Sequence, residues 1–350
     1  MSTMKIKLPY VIFLGDVEDK TLVKTGAGLA KWCGDDVLGQ LRLASCAVDL
    51  GLTELTLTEA IAKGAKSLVI GVATVGGSVK PSWLPTFVQA LEAGLDIING
   101  LHTNLSNIPE LAEAQQKSSG QIINIRQVTG EFPIATGKKR RGMRLLTVGT
   151  DCAVGKKYTA LELSLGLNTA GIDATFRATG QTGIMIAGEG LPVDSVVSDF
   201  VSGAAELISP DNNADHWDII EGQGSLFNPS FSAVSLGLLH GSQPDAIIVC
   251  HDVARETIST CPDYQLPTLQ ACIDLHLQCA RIVNPTVRCI GISVNTSSLN
   301  QDKREEYLQA LEQELGLPCV DPLITGCDTL IKELMMQFYP QQTRLAHAEL

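Results

Sequence analysis

The chain lacks the marks of several protein classes. Its ten cysteines form no Cys-x-x-Cys pair and no zinc spacing, so neither a redox dithiol nor a structural zinc module is written into it, and thiols scattered singly fit a reducing cytoplasm. No segment reaches the roughly 18 apolar residues of a membrane span, and the opening MSTMKIKLPYVIFLGD holds too short an apolar run for an export signal. Positive charge is also scarce: 26 Lys and Arg face 38 Asp and Glu, a formal net charge of -12. Such a field argues against nucleic acid or an anionic membrane as partner, so an anionic ligand must be gripped locally. Neither an internal repeat nor a low-complexity tract stands out.

What is present is a long soluble chain, 350 residues with 45% hydrophobic content, more than one core usually supports; two domains are the expectation. Apolar β-rich runs at residues 9–14, 67–73, 96–100 and 121–126 alternate with helical spacing in TELTLTEAIAKGA, LPTFVQALEAG and NIPELAEAQQK, with Thr53 and Asn107 as caps. Such alternation reads as an α/β fold with a parallel sheet, Rossmann-like, over residues 1–128. Residues 129–142, TGEFPIATGKKRRG, read as a linker. Its Lys138, Lys139, Arg140 and Arg141 form either a phosphate-attracting patch or a solvated run, the second being favoured. From Met143 to residue 350 the pattern restarts as a second, doubly wound sheet, with strands at 143–149, 172–179, 216–222, 244–252 and 287–295 and helices near 193–208, 266–282, 303–315 and 327–337. The first domain has too few glycines at LGDVEDK for a dinucleotide fingerprint, and TVGGSVKPSW, residues 74–83, reads as a plain loop or a cleft lining.

The chemistry concentrates in VGTDCAVGKKYT, residues 148–159. A strand ending in glycine and turning into a helix presents free N–H groups at the positive end of the helix dipole, an anion site before any side chain is counted. Gly149, Thr150, Asp151, Val154, Gly155, Lys156, Lys157 and Tyr158 are therefore the phosphate-binding candidates. The loop departs from GxxxxGK[ST] in two ways: five residues separate Gly149 from Gly155, and Lys157 replaces the hydroxyl that helps hold magnesium. A second ammonium can offset phosphate charge but cannot coordinate a metal ion. The variant is similar to the loop of dethiobiotin synthetase and its relatives.

Around the loop stand further candidates. Glu221 closes the strand of HWDIIEGQGSLFNP and serves as the acid or base, or, through water, as part of a weaker magnesium site. His251 ends a strand and His240 precedes a turn, and either could serve as base near neutral pH. Arg177 could hold a substrate carboxylate as a fork. Gln181, Thr182 and Gly183 lie in the glycine-rich stretch 177–206, a lid over the ligand, with Asp199 either at the site or on a solvated face. Asn295 ends the strand VRCIGISVN, where relatives of this loop type contact the nucleotide base.

Taken together, GTDCAVGKKYTAL, ATGQTGIMIAG, VVSDFVSGAAE, EGQGSL, LGLLHGSQPDA, the DP of VDPLITG and the GLH near residue 102 resemble the D-glutamate N-acetyltransferase family across essentially the whole chain. That family was long filed as a domain of unknown function. The resemblance implies a Rossmann-like domain followed by a P-loop domain and transfer of an acetyl group from acetyl-CoA to the amino group of D-glutamate or a similar amino acid. Coenzyme A carries a pyrophosphate on adenosine, so a phosphate cradle could hold it without phosphoryl transfer and without obligatory magnesium. Glu221, with His251 or His240 as alternatives, is then the expected base, and donors of the Gln181 to Gly183 turn the expected oxyanion site. Two readings stay open on the loop alone: an ATP- and magnesium-dependent synthetase of dethiobiotin-synthetase type, and a nucleotide-binding protein without turnover. Homo-oligomerisation is left open too.

Overall fold

The computed structural model describes residues 6–128 and 130–340. The chain divides into two compact units, Met1–Gly130 with Gly180–Ser195, and Glu131–Thr179 with Val196–Leu350. Among the described residues no helix is long and apolar enough to cross a membrane.

The first unit runs β1 (Tyr10–Gly15), α1 (Lys24–Trp32), β2 (Val37–Arg42), α2 (Leu57–Ala62), β3 (Ser67–Ile70), α3 (Leu84–Glu92), β4 (Asp96–Asn99), α4 (Pro109–Gln116) and β5 (Ile122–Asn124). The strands form one parallel sheet in the order β2-β1-β3-β4-β5. Every residue of β1 is buried, as a strand covered on both faces requires. Phe13, Trp83 and Phe87 pack edge to face beneath it, with centroids 5.0 to 6.4 Å apart. Strand order reverses at β1, so the carboxyl ends of β1 and β3 flank the switch point where such sheets take ligands. There Asp16 accepts from Lys80 Nζ at 2.8 Å, Ser82 Oγ at 2.9 Å and Trp83 Nε1 at 2.8 Å, fastening the loop 74–83 to the end of β1.

The second unit contains β6 (Met143–Gly149), α5 (Lys156–Thr169) and β7 (Ala174–Arg177). The chain then contributes α6 (Gln181–Ala187) to the first unit and resumes with α7 (Val201–Ile208), β8 (Trp217–Ile220), α8 (Ser232–Ser242) and β9 (Ala246–Asp252). A hairpin of β10 (Thr257–Ile258) and β11 (Cys261–Gln265) follows, then α9 (Leu269–Ala280), β12 (Arg288–Asn295), α10 (Gln301–Leu315), β13 (Cys319–Val320) and α11 (Asp328–Phe338). The parallel order β13-β12-β9-β6-β8-β7 sets β6, and the loop that follows it, at the centre of the sheet. Leu145, Leu163, Leu167, Trp217, Ile219, Ile248, Ile290 and Leu330 fill its core.

Several local expectations need correcting. Thr56, not Thr53, caps α2, because Glu59 completes a capping box with it. Asn107 does not cap α4, whose N-cap is Ile108; Asn104 caps the short turn before it. The second unit does not run unbroken from residue 143. Gly180–Ser195 packs on the first unit, where Thr182 Oγ1 meets Thr25 Oγ1 at 2.9 Å and a Cβ on Gly100 would come within 2.9 Å of Gln181.

Residues 131–142 are largely exposed, as a solvated run would be, but they belong to the second unit and are fastened to it. A Cβ on Gly203 would lie 1.8 Å from the Pro133 carbonyl, the Thr136 and Gly137 amides donate to Glu206, and Lys139 pairs with Asp245 at 2.8 Å. Arg140 donates to the Gly241 and Ser242 carbonyls, and burial pushes its guanidinium down to about 10. This run leads into the start of β6 whereas the candidate phosphate loop follows its end, so its cations do not join that loop.

Candidate active site

The loop after β6 is shaped by backbone before side chains act. Gly149 lies so close to Val154 and the Cys250 carbonyl that a Cβ would approach them to 2.8 and 2.9 Å. Ala153 (φ 57) and Gly155 (φ 112) take left-handed conformations, a backbone geometry suited to gathering N–H groups around an anion ahead of α5. Lys156, 6% exposed, donates from Nζ to the Asp151 carbonyl at 2.7 Å, its ammonium held over the loop.

Asp151 spends its carboxylate inside the protein. Wholly buried, its carboxylate accepts from Asn228 Nδ2 at 2.9 Å, Arg255 Nη1 at 3.1 Å and the Ser259 amide at 2.6 Å. It ties the loop to the segments after β8 and β9 and so fixes loop shape. Ser225 adds a clamp from below, donating to the Gly149 and Thr150 carbonyls at 3.0 and 3.2 Å. Lys157 is half-buried with its ammonium 4.4 Å from the centroid of the Tyr158 ring, a cation–π contact that carries part of its charge along the helix surface. Thr159 is buried against Ser293 Oγ at 2.7 Å and does not replace the missing hydroxyl.

Glu221 follows β8 beside the loop and is 4% exposed. Its Oε2 accepts from the Thr179 amide at 3.0 Å, and the Gly222 amide donates to Thr147 Oγ1 at 2.9 Å. A Cβ on Gly222 would fall 1.7 Å from the Thr147 carbonyl and 3.0 Å from Lys156 Cδ, so only glycine lets the acid strand pass this close to the lysine. His251, at the carboxyl end of β9, sets Nδ1 3.2 Å from Thr150 Oγ1. Burial pushes its pKa below the ordinary histidine value, against the opposing pull of Asp252, which favours the neutral ring. Asn295, at the end of β12, donates to Asp252 Oδ2 at 3.0 Å. Among the described residues no group of three or more His, Cys, Asp or Glu is placed to hold a metal ion.

Comparison with known proteins agrees with the two-domain organisation. The model of a P-loop domain of unknown function, DUF1611_C, matches residues 133–331, and that of a Rossmann-like domain of unknown function, DUF1611_N, matches residues 43–128. The chain belongs to the DUF1611 family. A crystal structure of a DUF1611 family protein from Anabaena variabilis superposes with a TM-score of 0.86 at 32% identity, covering 94% of this chain and all of that one. Two curated relatives are each named D-glutamate N-acetyltransferase. That of a Pseudoalteromonas species is 46% identical over 95% of this chain and 100% of its own. That of Tritonibacter scottomollicae is 47% identical over 94% and 99%.

Within the DUF1611 fold, some expected site residues are elsewhere. His240 stands in the last turn of α8, which leads to the amino end of β9, and its Nε2 lies 3.2 Å from the Cys279 carbonyl; it is at the sheet edge opposite the loop and is not a base there. Arg177 is tied through Nε to Asp218 at 2.6 Å, an acid 1% exposed, so its charge is already paired within the sheet. Asp199 is exposed, on a short turn before α7. Gln181 and Thr182 are engaged within the first unit by Arg126 and Thr25, and Gly183 is buried in α6. Reading the sequence missed Thr147, Thr179, Ser225, Asn228 and Arg255. Their role depends on strands brought together from far along the chain, and no local spacing marks them.

Proposed function

We propose that this chain is an N-acetyltransferase that moves the acetyl group of acetyl-CoA to the amino group of D-glutamate or a closely similar amino acid. The observation that carries the reading is its 46 to 47% identity, across nearly the full length, to two curated relatives bearing that name. The loop chemistry supports it. The left-handed turns at Ala153 and Gly155, the first amides of α5 and Lys156 suit a diphosphate, while Lys157 stands where a metal-holding hydroxyl would be needed for triphosphate cleavage. Acetyl-CoA, when bound, supplies a thioester carbonyl activated toward an amine.

The residues would divide the work as follows. Loop amides and Lys156 hold the donor's phosphates. Glu221, oriented by the Thr179 amide, accepts the proton that the ammonium of the amino acid must lose before its nitrogen can attack; His251, its neutral form favoured by burial and its ring set against Thr150, is the alternative base. Attack by the freed amine forms the amide C–N bond and breaks the thioester C–S bond, releasing coenzyme A as the thiol.

The test separates donor chemistries. Protein is incubated with D-glutamate and either acetyl-CoA or magnesium ATP, and free thiol and ADP are assayed separately. Thiol release that depends on D-glutamate is expected; ADP formation without thiol release would overturn the reading in favour of a synthetase.

A further inference from the structure

Arg126 follows β5 at the carboxyl edge of the first unit's sheet and takes no part in the chemistry above. Its side chain is 11% exposed. Nε donates to the Gly100 carbonyl at 2.8 Å, which fixes the plane of the guanidinium, while Nη1 meets the Asp194 carboxylate and Nη2 the side-chain oxygen of Gln181. All these groups belong to the first unit. Asp194 is 25% exposed at its side chain and follows Gly188 (φ 72) and Gly190 (φ 143), glycines whose left-handed backbone breaks the chain away from α6. His102 lies close enough to both charges to respond to them.

We propose that Arg126 recognises a carboxylate of the acceptor amino acid, and that Asp194 is an internal carboxylate that occupies Nη1 of this guanidinium until the acceptor displaces it. It rests on the amino-acid acetylation reading. A guanidinium clamped along one edge presents its remaining donors in a fixed geometry that matches a carboxylate, which a lysine cannot reproduce. Arg126 already holds one carboxylate there, so the chemistry of recognition is built. Exchange of one carboxylate for another keeps the buried charge paired, whereas simple departure of Asp194 would strand it. The place is on the carboxyl side of the parallel sheet, the side that carries the switch point between β1 and β3. In the chain, Gln181 comes two residues after Thr179, the partner of Glu221.

Wild type, Arg126→Lys and Asp194→Asn are compared in two ways: thiol-release kinetics with D-glutamate and acetyl-CoA varied in turn, and calorimetric titration with glutarate, a five-carbon diacid with no amine to acetylate. Arg126→Lys is expected to raise the KM for D-glutamate and weaken glutarate about ten-fold or more, with the KM for acetyl-CoA within about two-fold. Asp194→Asn is expected to do the reverse, lowering the D-glutamate KM and tightening glutarate several-fold, because a competitor is gone. A purely structural ion pair predicts instead that Asp194→Asn weakens glutarate or leaves it unchanged, and that result overturns the proposal even if Arg126→Lys fails to fold. Thiol release in the wild type with acceptor parameters indifferent to both substitutions defeats this inference alone. Arg126-dependent glutarate binding without thiol release from any amino acid defeats the acetylation reading and leaves the carboxylate site standing.

Discussion

Lys156 and Glu221 are buried charged residues of opposite sign that converge on one loop from separate strands, and Gly222 lets them approach. If Lys156 holds donor phosphate, Lys156→Ala should raise the KM for acetyl-CoA about ten- to hundred-fold, the worth of a charge-assisted hydrogen bond, with a smaller change in the KM for D-glutamate. Glu221→Gln should keep donor binding and lower kcat by about two orders of magnitude or more, as loss of a general base does. The histidines offer a control. His240→Ala should leave kcat within about two-fold, since its ring serves the carbonyl of Cys279 at the far sheet edge, while His251→Ala should lower it; equal losses from both would refute the placement of the site. The candidate loop, Glu221 and His251 were legible as residues because each ends or follows an apolar strand. Arg177 was misread because its partner Asp218 is 41 residues away, and only the pairing of β7 with β8 brings them together.

At the scale of elements, two junctions carry specific consequences. Gly222→Ala would place a methyl carbon inside the Thr147 carbonyl's contact distance, so the strand end must move away from the loop. A loss of about 1 to 3 kcal/mol in denaturant unfolding is expected together with weakened donor binding. In the first unit, burial alone would raise the Asp16 carboxyl, but hydrogen bonds from Lys80, Trp83 and Ser82 bring it down to about 2. Its unfolded pKa is about 3.9, so this stabilisation is present above pH ~4 and is lost as pH falls toward 2. Asp16→Asn should therefore unfold at lower denaturant than wild type at pH 7, and the gap should narrow at pH 3; a gap independent of pH would show that the tie does not depend on the charge. Element boundaries went astray where local signals compete. Strand β2 escaped notice because GDDVLGQLR carries two acids and two glycines, although burial of Gln40 and Leu41 and pairing with β1 make it a strand.

Taken whole, the molecule is two parallel sheets whose chain is not partitioned at one point, since Gly180–Ser195 leaves the second unit and folds with the first. A ligand that binds the folded second unit should raise its melting temperature, and coenzyme A is expected to do so at concentrations above its dissociation constant, more than ATP with magnesium does. By itself the sequence determined the α/β class, the two-sheet organisation, the phosphate loop and the family, because these rest on periodicity and on short motifs whose residues are neighbours in the chain. Tertiary structure alone decided which charges are spent and which are poised. Arg177 is paired with Asp218, Arg140 with helix-end carbonyls and Asp151 with three donors, while Arg126 holds an exchangeable carboxylate from 68 residues further on. An ion pair or buried hydrogen bond depends on which distant segments the sheets bring within reach, and no local pattern records that.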